Sequence, residues 1–458
     1  MSSGEPNLLR HKLLRITPAR GYYLSMHKGL SAWSMRSRRH GVAAVVLSLA
    51  LAFAPAVYTQ TLQRARPEAV GLSSERLKRL SDALRGYVKE GRLPGGVALV
   101  ARRGKVAYVE AFGQRDREAG SPMREDTLFR IASQTKALVS VGVMVLQEEG
   151  RLLISDPVGK YLPEFRETTV AVPKQGGGYE VVKAKRPVTV RDLLTHTAGV
   201  GYGGGVARDR WEAAKITGWY FADRDEPVGS TVARMASLPF DAQPGEKWVY
   251  GYSTDILGAL VERVSGQTLE EFLRSRIIVP LGMTDTHFYV PESKADRFAA
   301  VYSSKEGGLE RAPEPGSMVG QGAYVKGPRK SFSGGAGLLS TAPDYARFLL
   351  MLLNGGELDG KRILSRKSVE LMTVDHLGGV PYRDGQGFGL GFYVVKDLGA
   401  RGQAGSVGEF GWGGAYHSTY WVDPKEQLVV VYFTQVIPAR GLDDHDKLRA
   451  LVYQAIVD

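Results

Sequence analysis

The stretch Phe129-Arg-Ile-Ala-Ser133-Gln-Thr-Lys136 runs directly into Ala137-Leu-Val-Ser-Val-Gly-Val-Met-Val-Leu146. The second half is apolar on nearly every face, which predicts a helix buried in the core. Ser133 then lies at the helix N-terminus, where free N–H groups and the positive end of the helix dipole favour an oxyanion. Lys136 follows three residues later, so its amine projects on the same face as the serine hydroxyl.

This S-x-x-K pattern predicts a serine nucleophile with a lysine beside it. A buried lysine loses its proton more readily than an exposed one, so Lys136 can activate Ser133. The alternative is a capping serine followed by a lysine that reaches to solvent. The same spacing occurs at Ser25-Met-His-Lys28, near the start of the chain, so the pattern alone does not decide between them.

Strand patterns lie towards both ends of the chain. Residues 96–112 and residues 418–433 each contain two β-rich runs joined by a turn, which predicts two hairpins. An amphipathic helix is predicted ahead of the first hairpin, capped by Ser73 or Ser74, and another at about 443–457.

The middle of the chain has a different sequence pattern. From about 134 to 320, helical patterns alternate with Gly- and Pro-rich loops, and Thr268-Leu-Glu-Glu271 is a capping box. We therefore predict an α+β fold, in which both chain ends form an antiparallel sheet flanked by helices around an inserted, mainly helical domain. The predicted domains are a leader at 1–56, an α/β domain at 57–133 and 321–458, and a helical domain at 134–320.

The leader has the composition of a targeting segment. Eight lysines and arginines lie in residues 1–40 against Glu5 alone, so more than half of the net charge of +12 belongs there. Met35-Arg-Ser-Arg-Arg-His40 precedes an apolar stretch that contains Ala54-Pro-Ala56, the small residues of a cleavage site. We expect an exported protein, periplasmic or extracellular, with a signal at about 35–56 and no stable membrane insertion after cleavage. An uncleaved anchor is the alternative.

The rest of the composition excludes several classes of protein. The remaining basic residues form no Lys/Arg-rich run, which argues against a nucleic-acid partner. The chain has no cysteine, so disulfides, cysteine nucleophiles and cysteine-based zinc sites are excluded. No histidine pair has a close ligand spacing such as H-E-x-x-H, and we predict neither a metal nor another cofactor.

Further motifs accompany the S-x-x-K pattern in a fixed order. They are Arg191-Asp-Leu-Leu-Thr-His-Thr-Ala-Gly199, Pro244-Gly245, Trp248-Val-Tyr250-Gly-Tyr-Ser-Thr-Asp-Ile-Leu-Gly258, Pro280-Leu-Gly-Met-Thr-Asp-Thr286, Ser333-Gly-Gly-Ala-Gly-Leu-Leu-Ser-Thr341 and Trp412-Gly-Gly414. From about residue 68 to the C-terminus, the chain resembles the serine β-lactamase and penicillin-recognising superfamily. Within it, the resemblance is to class C β-lactamases and the family VIII carboxylesterases. It implies a β-lactamase/transpeptidase-like fold.

The resemblance assigns the general base. Tyr250 matches the tyrosine that takes the serine proton and later returns it to the leaving group. A tyrosine does this near neutral pH only beside a cation, and Lys136 is that cation. The two form a coupled pair, so the proton is assigned to neither alone. Tyr252 is the alternative for this role.

The third motif departs from the β-lactamase pattern of Lys-Thr-Gly. Here Trp412 replaces the lysine that helps to hold a substrate carboxylate, and Gly413 and Gly414 let the strand approach the substrate. By the resemblance, the backbone N–H of Ala415 joins that of Ser133 as the oxyanion hole.

The second motif departs as well, because Tyr252 stands where the lactamases have the asparagine of Tyr-x-Asn. Both departures favour a neutral acyl ester over an anionic lactam. The residues predicted to bind the substrate are Trp412, Gly413, Gly414, Tyr252, Tyr416 and His417.

Two other residues compete for chemical roles. Ala404-Gly-Ser406-Val-Gly408 approaches the G-x-S-x-G pattern of a conventional esterase, but it lacks the first glycine and follows no obvious buried strand. We interpret Ser406 as a loop serine. His196 lies in a segment that packs near the site in relatives, and we interpret it as structural.

The motifs together predict a serine carboxylesterase acting on short- to medium-chain acyl esters. Ser133 forms an acyl-enzyme, with Lys136 and Tyr250 as the general base. The alternatives are a β-lactamase, with β-lactam turnover as main or side activity, a D-amino-acid peptidase, and a non-catalytic cell-wall-binding protein. The expected partner is a small-molecule ester, with a β-lactam as the other substrate.

Overall fold

Both ends of the described chain contribute strands to one sheet. A computed structural model describes residues 61–458, and the predicted leader lies outside this range. The strands are β1 Gly95–Arg102, β2 Lys105–Asp116, β3 Ser121–Pro122, β4 Phe129–Arg130, β5 Thr169–Pro173, β6 Tyr179–Lys183, β7 Tyr302–Lys305, β8 Gly308–Arg311, β9 Leu339–Ser340, β10 Glu357–Leu358, β11 Lys361–Arg362, β12 Gln386–Phe388, β13 Tyr393–Val395, β14 Phe410–Gly414, β15 Ser418–Asp423 and β16 Leu428–Phe433.

Eleven α-helices connect and cover these strands within residues 61–458. They are α1 Ser74–Lys89, α2 Thr135–Glu148, α3 Val190–Leu194, α4 Arg208–Ala213, α5 Val228–Met235, α6 Ser253–Ser265, α7 Leu269–Leu273, α8 Ala342–Leu353, α9 Arg366–Met372, α10 Leu398–Arg401 and α11 Asp444–Tyr453. Among these residues, no helix is long and apolar enough to cross a membrane.

The central sheet joins the two predicted hairpins. Its eight strands lie in the order β12-β13-β14-β15-β16-β1-β2-β3, and neighbours pair antiparallel. Strands β1 and β16 close the junction between the chain ends, with Val97 opposite Phe433. The α+β fold with a sheet built from both ends is thus confirmed.

The centre of the sheet is buried on both faces, because β1 and β16 are almost entirely apolar and every one of their residues is buried. Val97 and Leu99 belong to the large core that also holds α2 and α8, whereas Ala98 and Val100 pack with α1 and α11. This alternation follows from the two-residue period of a strand. The result is a three-layer arrangement, with α1 and α11 on one face of the sheet and α2 and α8 on the other.

The predicted helices around the motifs form as expected. Ser73 caps α1, and the Thr268–Glu271 capping box begins α7. Helix α2 is buried from Thr135 to Leu146. Two small hairpins, β5–β6 and β7–β8, interrupt the segment predicted as mainly helical. The division at residues 134 and 321 stays a prediction, since one continuous core includes side chains from both sides of it.

Candidate active site

Ser133 lies in a short 3-10 turn that leads directly into α2. The turn spans Ala132–Gln134. Ala132 has a φ of 42°, in the left-handed region that non-glycine residues rarely occupy. Such strain persists only where the surrounding structure holds it. Here β4, which ends at Arg130, pairs with β9 and fixes the chain just before the turn.

Lys136 is the centre of the polar contacts around the serine. Its side chain is buried, and Nζ lies 3.3 Å from Ser133 Oγ, as the i,i+3 spacing predicts. Nζ also donates to the Gly335 carbonyl at 2.7 Å and lies 3.3 Å from the Tyr202 hydroxyl. It stands 4.6 Å from the centre of the Tyr250 ring. The pattern therefore brings the predicted nucleophile and the Lys136 amine together, with two phenols beside them.

A buried carboxylate fixes the Gly335 carbonyl, which accepts a hydrogen bond from the Lys136 amine. Asp255 Oδ1 accepts from Ser333 Oγ at 2.6 Å and from the Gly335 N–H at 3.0 Å. Burial raises the pKa of Asp255, opposed by the Ser333 hydrogen bond and by the charge of Lys136. The Ser333-Gly-Gly-Ala motif is thus a turn that aims the Gly335 carbonyl at the lysine.

Tyr250 is enclosed by aromatic rings. Trp248 stacks on it at 5.6 Å and 7°, and the His196 ring lies 4.9 Å away. Trp412 contributes a third ring at 5.5 Å, and its Nε1 donates to the Tyr250 hydroxyl at 3.1 Å. Burial and the charge of Lys136 hold the pKa of His196 well below its usual value, so this imidazole is neutral and packs as a wall.

Tyr202 is a residue that the sequence analysis missed. It is presented by the Gly-rich loop 199–205, and its ring meets that of Tyr250 edge-on at 5.7 Å. Burial, with Tyr250 close by, raises the pKa of Tyr202 well above its usual value. The only signal in the sequence is one tyrosine among closely spaced glycines.

The Asp241 side chain lies directly against two glycines of this loop. A Cβ at Gly201 or Gly205 would stand 2.2 Å or 1.9 Å from a carboxylate oxygen of Asp241, which is closer than any real contact. The Asp241 side chain therefore occupies the space inside the loop and shapes the backbone that carries Tyr202.

Strand β14 passes close to the serine turn. A Cβ at Gly414 would stand 2.6 Å from the Ile131 carbonyl oxygen, so only glycine permits this approach. Beside the strand is an open cavity of about 470 Å³, lined by Trp412, Gly413, Gly414, Ala415 and His417 among others. The oxyanion hole formed by the Ser133 and Ala415 N–H groups stays a prediction.

Two predicted substrate-binding residues are buried supports. Tyr252 has no exposed surface, donates to the Gly218 carbonyl at 2.7 Å and stacks on Trp211. Tyr416 also has no exposed surface and packs edge-on against Trp219. The predicted contact of these tyrosines with the substrate stays a prediction, and the contacts in the structure show them supporting the walls of the site. The sequence does not reveal this burial, because the orientation of side chains in an irregular segment depends on tertiary packing.

The rival serine lies elsewhere. Ser406 is buried in the loop between α10 and β14, and its carbonyl accepts from the Glu409 N–H. A helix, α10, precedes it rather than a buried strand, so it has no nucleophile elbow.

Comparison with known proteins agrees with this geometry. The family model Beta-lactamase matches residues 80–454. Esterase EstB of Burkholderia gladioli is 36% identical over 80% of this chain and 93% of its own length. The lovastatin esterase of Penicillium rubens is 29% identical over 77% of this chain and 92% of its own.

A solved structure extends the likeness to the fold. EstCE1, described as a hydrolase with promiscuous acyltransferase activity, superposes with a TM-score of 0.71 at 26% identity, over 83% of this chain and 99% of its own. The chain therefore belongs to the beta-lactamase family, as a serine carboxylesterase of the family VIII type.

Proposed function

We propose that the chain hydrolyses short- to medium-chain acyl esters through a covalent acyl-enzyme on Ser133. The observation that carries this proposal is the contact of Lys136 Nζ with Ser133 Oγ, at 3.3 Å, beside the Tyr250 ring. A nucleophile and a base within hydrogen-bond reach, the base held by further groups, is the arrangement that nucleophilic catalysis requires.

In the first step the Ser133 hydroxyl loses its proton to the Lys136–Tyr250 pair while Oγ bonds to the ester carbonyl carbon. The carbonyl electrons move to oxygen, where the N–H groups of Ser133 and Ala415 stabilise the negative charge. When the intermediate collapses, the C–O bond to the alcohol breaks and the pair returns the proton to the leaving oxygen.

Water completes the cycle by the same route. The base pair takes a proton from water, whose oxygen attacks the acyl carbon, and Ser133 Oγ leaves with a proton returned by the pair. Trp412 supports both steps, because a hydrogen bond donated to the Tyr250 oxygen stabilises that oxygen when it is negatively charged.

Trp412 also supports the choice of substrate. It stands where the lactamases have a lysine and gives the cavity an apolar wall. An acyl chain gains about 0.8 kcal/mol for each CH₂ that it buries against such a surface. The Trp412 side of this cavity therefore favours a neutral ester with a modest acyl chain over a charged lactam.

One observation favours β-lactam turnover as a second activity. The Arg383 guanidinium lies 5.6 Å from the Trp412 ring centre and lines the same cavity. It is a cation that a substrate carboxylate could reach. Turnover of nitrocefin compared with p-nitrophenyl butyrate, in the wild type and in Arg383→Ala, ranks the two activities.

The test of the acyl-enzyme is intact-mass spectrometry after reaction with a fluorophosphonate. We expect one adduct on the wild type and on Ser406→Ala, and none on Ser133→Ala. Two results would contradict the proposal: an adduct that persists on Ser133→Ala, or turnover of p-nitrophenyl butyrate by that variant at the wild-type rate.

We also infer that the protein is exported, from the basic and apolar segment at about 35–56. The test is fractionation of cells expressing the full chain, followed by the intact mass of the product. A cytoplasmic product that retains residues 1–56 contradicts export.

A further inference from the structure

Three side chains that take no part in the proposed proton transfers meet beside the cavity at β14. His417 lies in the turn between β14 and β15, whereas Asp444 and His445 are the first two residues of α11. One nitrogen or oxygen atom of each lies within 4.8 Å of the others. His417 and Asp444 are 27 residues apart in sequence, so the cluster has no closely spaced ligand motif.

Asp444 is fixed inside the protein. Its side chain has no exposed surface, and its Oδ2 accepts from the Tyr432 hydroxyl at 2.8 Å. Its Oδ1 lies 2.7 Å from His417 Nε2. One carboxylate oxygen is thus held by a tyrosine while the other points towards the histidines, as in metal sites whose ligands are oriented by an outer hydrogen bond.

The two imidazoles lie face to face. Their ring centres are 4.1 Å apart at an interplanar angle of 15°. His417 holds a φ of 60°, a left-handed conformation that glycine adopts without strain and histidine does not. Strained positions are concentrated at functional sites, which gives a reason for a histidine in this turn.

Both histidines line the open cavity of about 470 Å³ that also borders Gly413, Gly414 and Ala415. A group bound by them would therefore have free positions facing water or a small molecule. An open face of this kind distinguishes reactive metal sites from closed structural ones.

We propose that His417, Asp444 and His445 form a binding site for a divalent transition-metal ion such as Zn²⁺. Two imidazoles and one carboxylate form a donor set that zinc accepts in proteins. Bonds of about 2.0–2.2 Å in tetrahedral geometry place the donor atoms roughly 3.4 Å apart. One nitrogen or oxygen atom of each residue lies within 4.8 Å of the others, and His417 Nε2 is already 2.7 Å from Asp444 Oδ1. Metal binding therefore requires only small side-chain shifts to bring each pair of donor atoms to the tetrahedral spacing.

The test uses the full chain without a histidine tag, stripped with EDTA and titrated with Zn²⁺ by calorimetry. The site variant is His417→Gly, because glycine suits the positive φ and keeps the turn while removing the ligand. The matched control is His376→Gln, a histidine outside the cluster whose Nε2 contacts the Leu371 carbonyl.

We expect one Zn²⁺ per chain for the wild type, His376→Gln and Ser133→Ala. In His417→Gly and Asp444→Asn the affinity should fall by more than the roughly 10–100-fold that loss of an outer-sphere partner costs. Circular dichroism confirms that the variants fold, and Co²⁺ absorption bands give a second readout. No uptake by the wild type, or equal uptake by His417→Gly, would overturn the proposal. Ser133→Ala lacks the proposed nucleophile, so Zn²⁺ uptake by this variant tests the metal site independently of the ester chemistry.

Discussion

At the scale of single residues, the contacts of Lys136 determine what Ser133 can do. Its amine has three oxygen neighbours, from Ser133, Tyr202 and Gly335, and lies over the ring of Tyr250. The Gly335 carbonyl only accepts, so it orients the amine towards the other two oxygens. Two phenols therefore compete for the role of general base. The Tyr202 hydroxyl is hydrogen-bonded to the Lys136 amine, whereas the Tyr250 hydroxyl accepts a hydrogen bond from Trp412 Nε1.

Removing one hydroxyl at a time separates these roles. We expect Tyr250→Phe to lower kcat for p-nitrophenyl butyrate by about 10²–10⁴-fold, the usual effect of losing a general base. Tyr202→Phe loses only a hydrogen bond to the lysine, worth about 0.5–1.5 kcal/mol, and should cost about tenfold or less. Both variants should retain slow labelling by a fluorophosphonate. The reverse order of the two effects would assign the base to Tyr202.

At the scale of elements, the Ser333–Ala336 turn acts on Lys136 through Asp255. The Asp255 carboxylate holds the Gly335 N–H and the Ser333 hydroxyl, so it positions the carbonyl that binds the amine. We expect Asp255→Ala to lower kcat by about 10–100-fold. The variant no longer positions the Gly335 carbonyl, and it leaves the buried Ser333 hydroxyl and Gly335 N–H without their acceptor.

A conservative variant distinguishes this positioning from simple destabilisation. Asp255→Asn keeps an oxygen that accepts both hydrogen bonds, so it should recover most of the kcat that Asp255→Ala loses, with KM unchanged. Equal kcat values for the two variants, each folded by circular dichroism, would show that the turn does not position Lys136.

Helix α8 carries a pH-dependent group in its first turn. Burial raises the pKa of Asp344 to about 7, although its carboxylate accepts from the Asp285 N–H at 2.7 Å. The folded protein therefore keeps a proton that the unfolded chain releases near its ordinary pKa of 3.8. Its contribution to stability is present below about pH 4 and is lost as the pH rises to about 7.

Asp344→Asn removes this titration and keeps the hydrogen-bond acceptor. We expect the variant to gain stability relative to the wild type by about 1.4 kcal/mol for each pH unit between pH 4 and 7. Urea unfolding at pH 5 and pH 8 measures the difference, with Asp82→Asn, an exposed carboxylate on α1, as the control. An advantage that shrinks towards pH 8 would contradict the assignment.

Local patterns account for the parts that the sequence predicts well. The apolar run after Lys136, the strand alternation at 96–112 and the capping box at Thr268 each depend on neighbours within one or two turns, and all three form as expected. Tyr202 reaches Lys136 from a loop 66 residues away, and His417 contacts Asp444 of α11, which lies 27 residues further along the chain. Such contacts depend on tertiary packing, which periodicity does not contain.

At the scale of the whole molecule, one buried ion cluster ties the C-terminal helix to the sheet. Glu409, just before β14, has no exposed side-chain surface and accepts from Arg449 on α11 and from Arg401 on α10 at 2.8 to 2.9 Å. The hydroxyls of Tyr393 and Tyr453 lie 3.0 Å and 2.8 Å away. The carboxylate thus connects β13, β14 and both helices through charged hydrogen bonds.

Neutralising this carboxylate should destabilise the whole fold. Burial works to raise the pKa of Glu409, but Arg449 and Arg401 outweigh it and hold the pKa below the usual 4.5. The stabilisation is therefore present above about pH 4.5 and is lost as the pH falls. Glu409→Gln leaves two buried guanidinium groups without their carboxylate, which costs about 3–5 kcal/mol.

Denaturant unfolding at pH 7 and pH 4 tests this, with Glu370→Gln, in an exposed ion pair on α9, as the matched control. We expect the control to stay within about 0.5 kcal/mol of the wild type. Glu409→Gln should be much less stable at pH 7. Its difference from the wild type should narrow at pH 4, because the unfolded wild-type chain binds a proton at this carboxylate there while the folded protein holds it ionised. A deficit that is the same at both pH values would mean that packing around residue 409, and not its charge, joins α11 to the sheet.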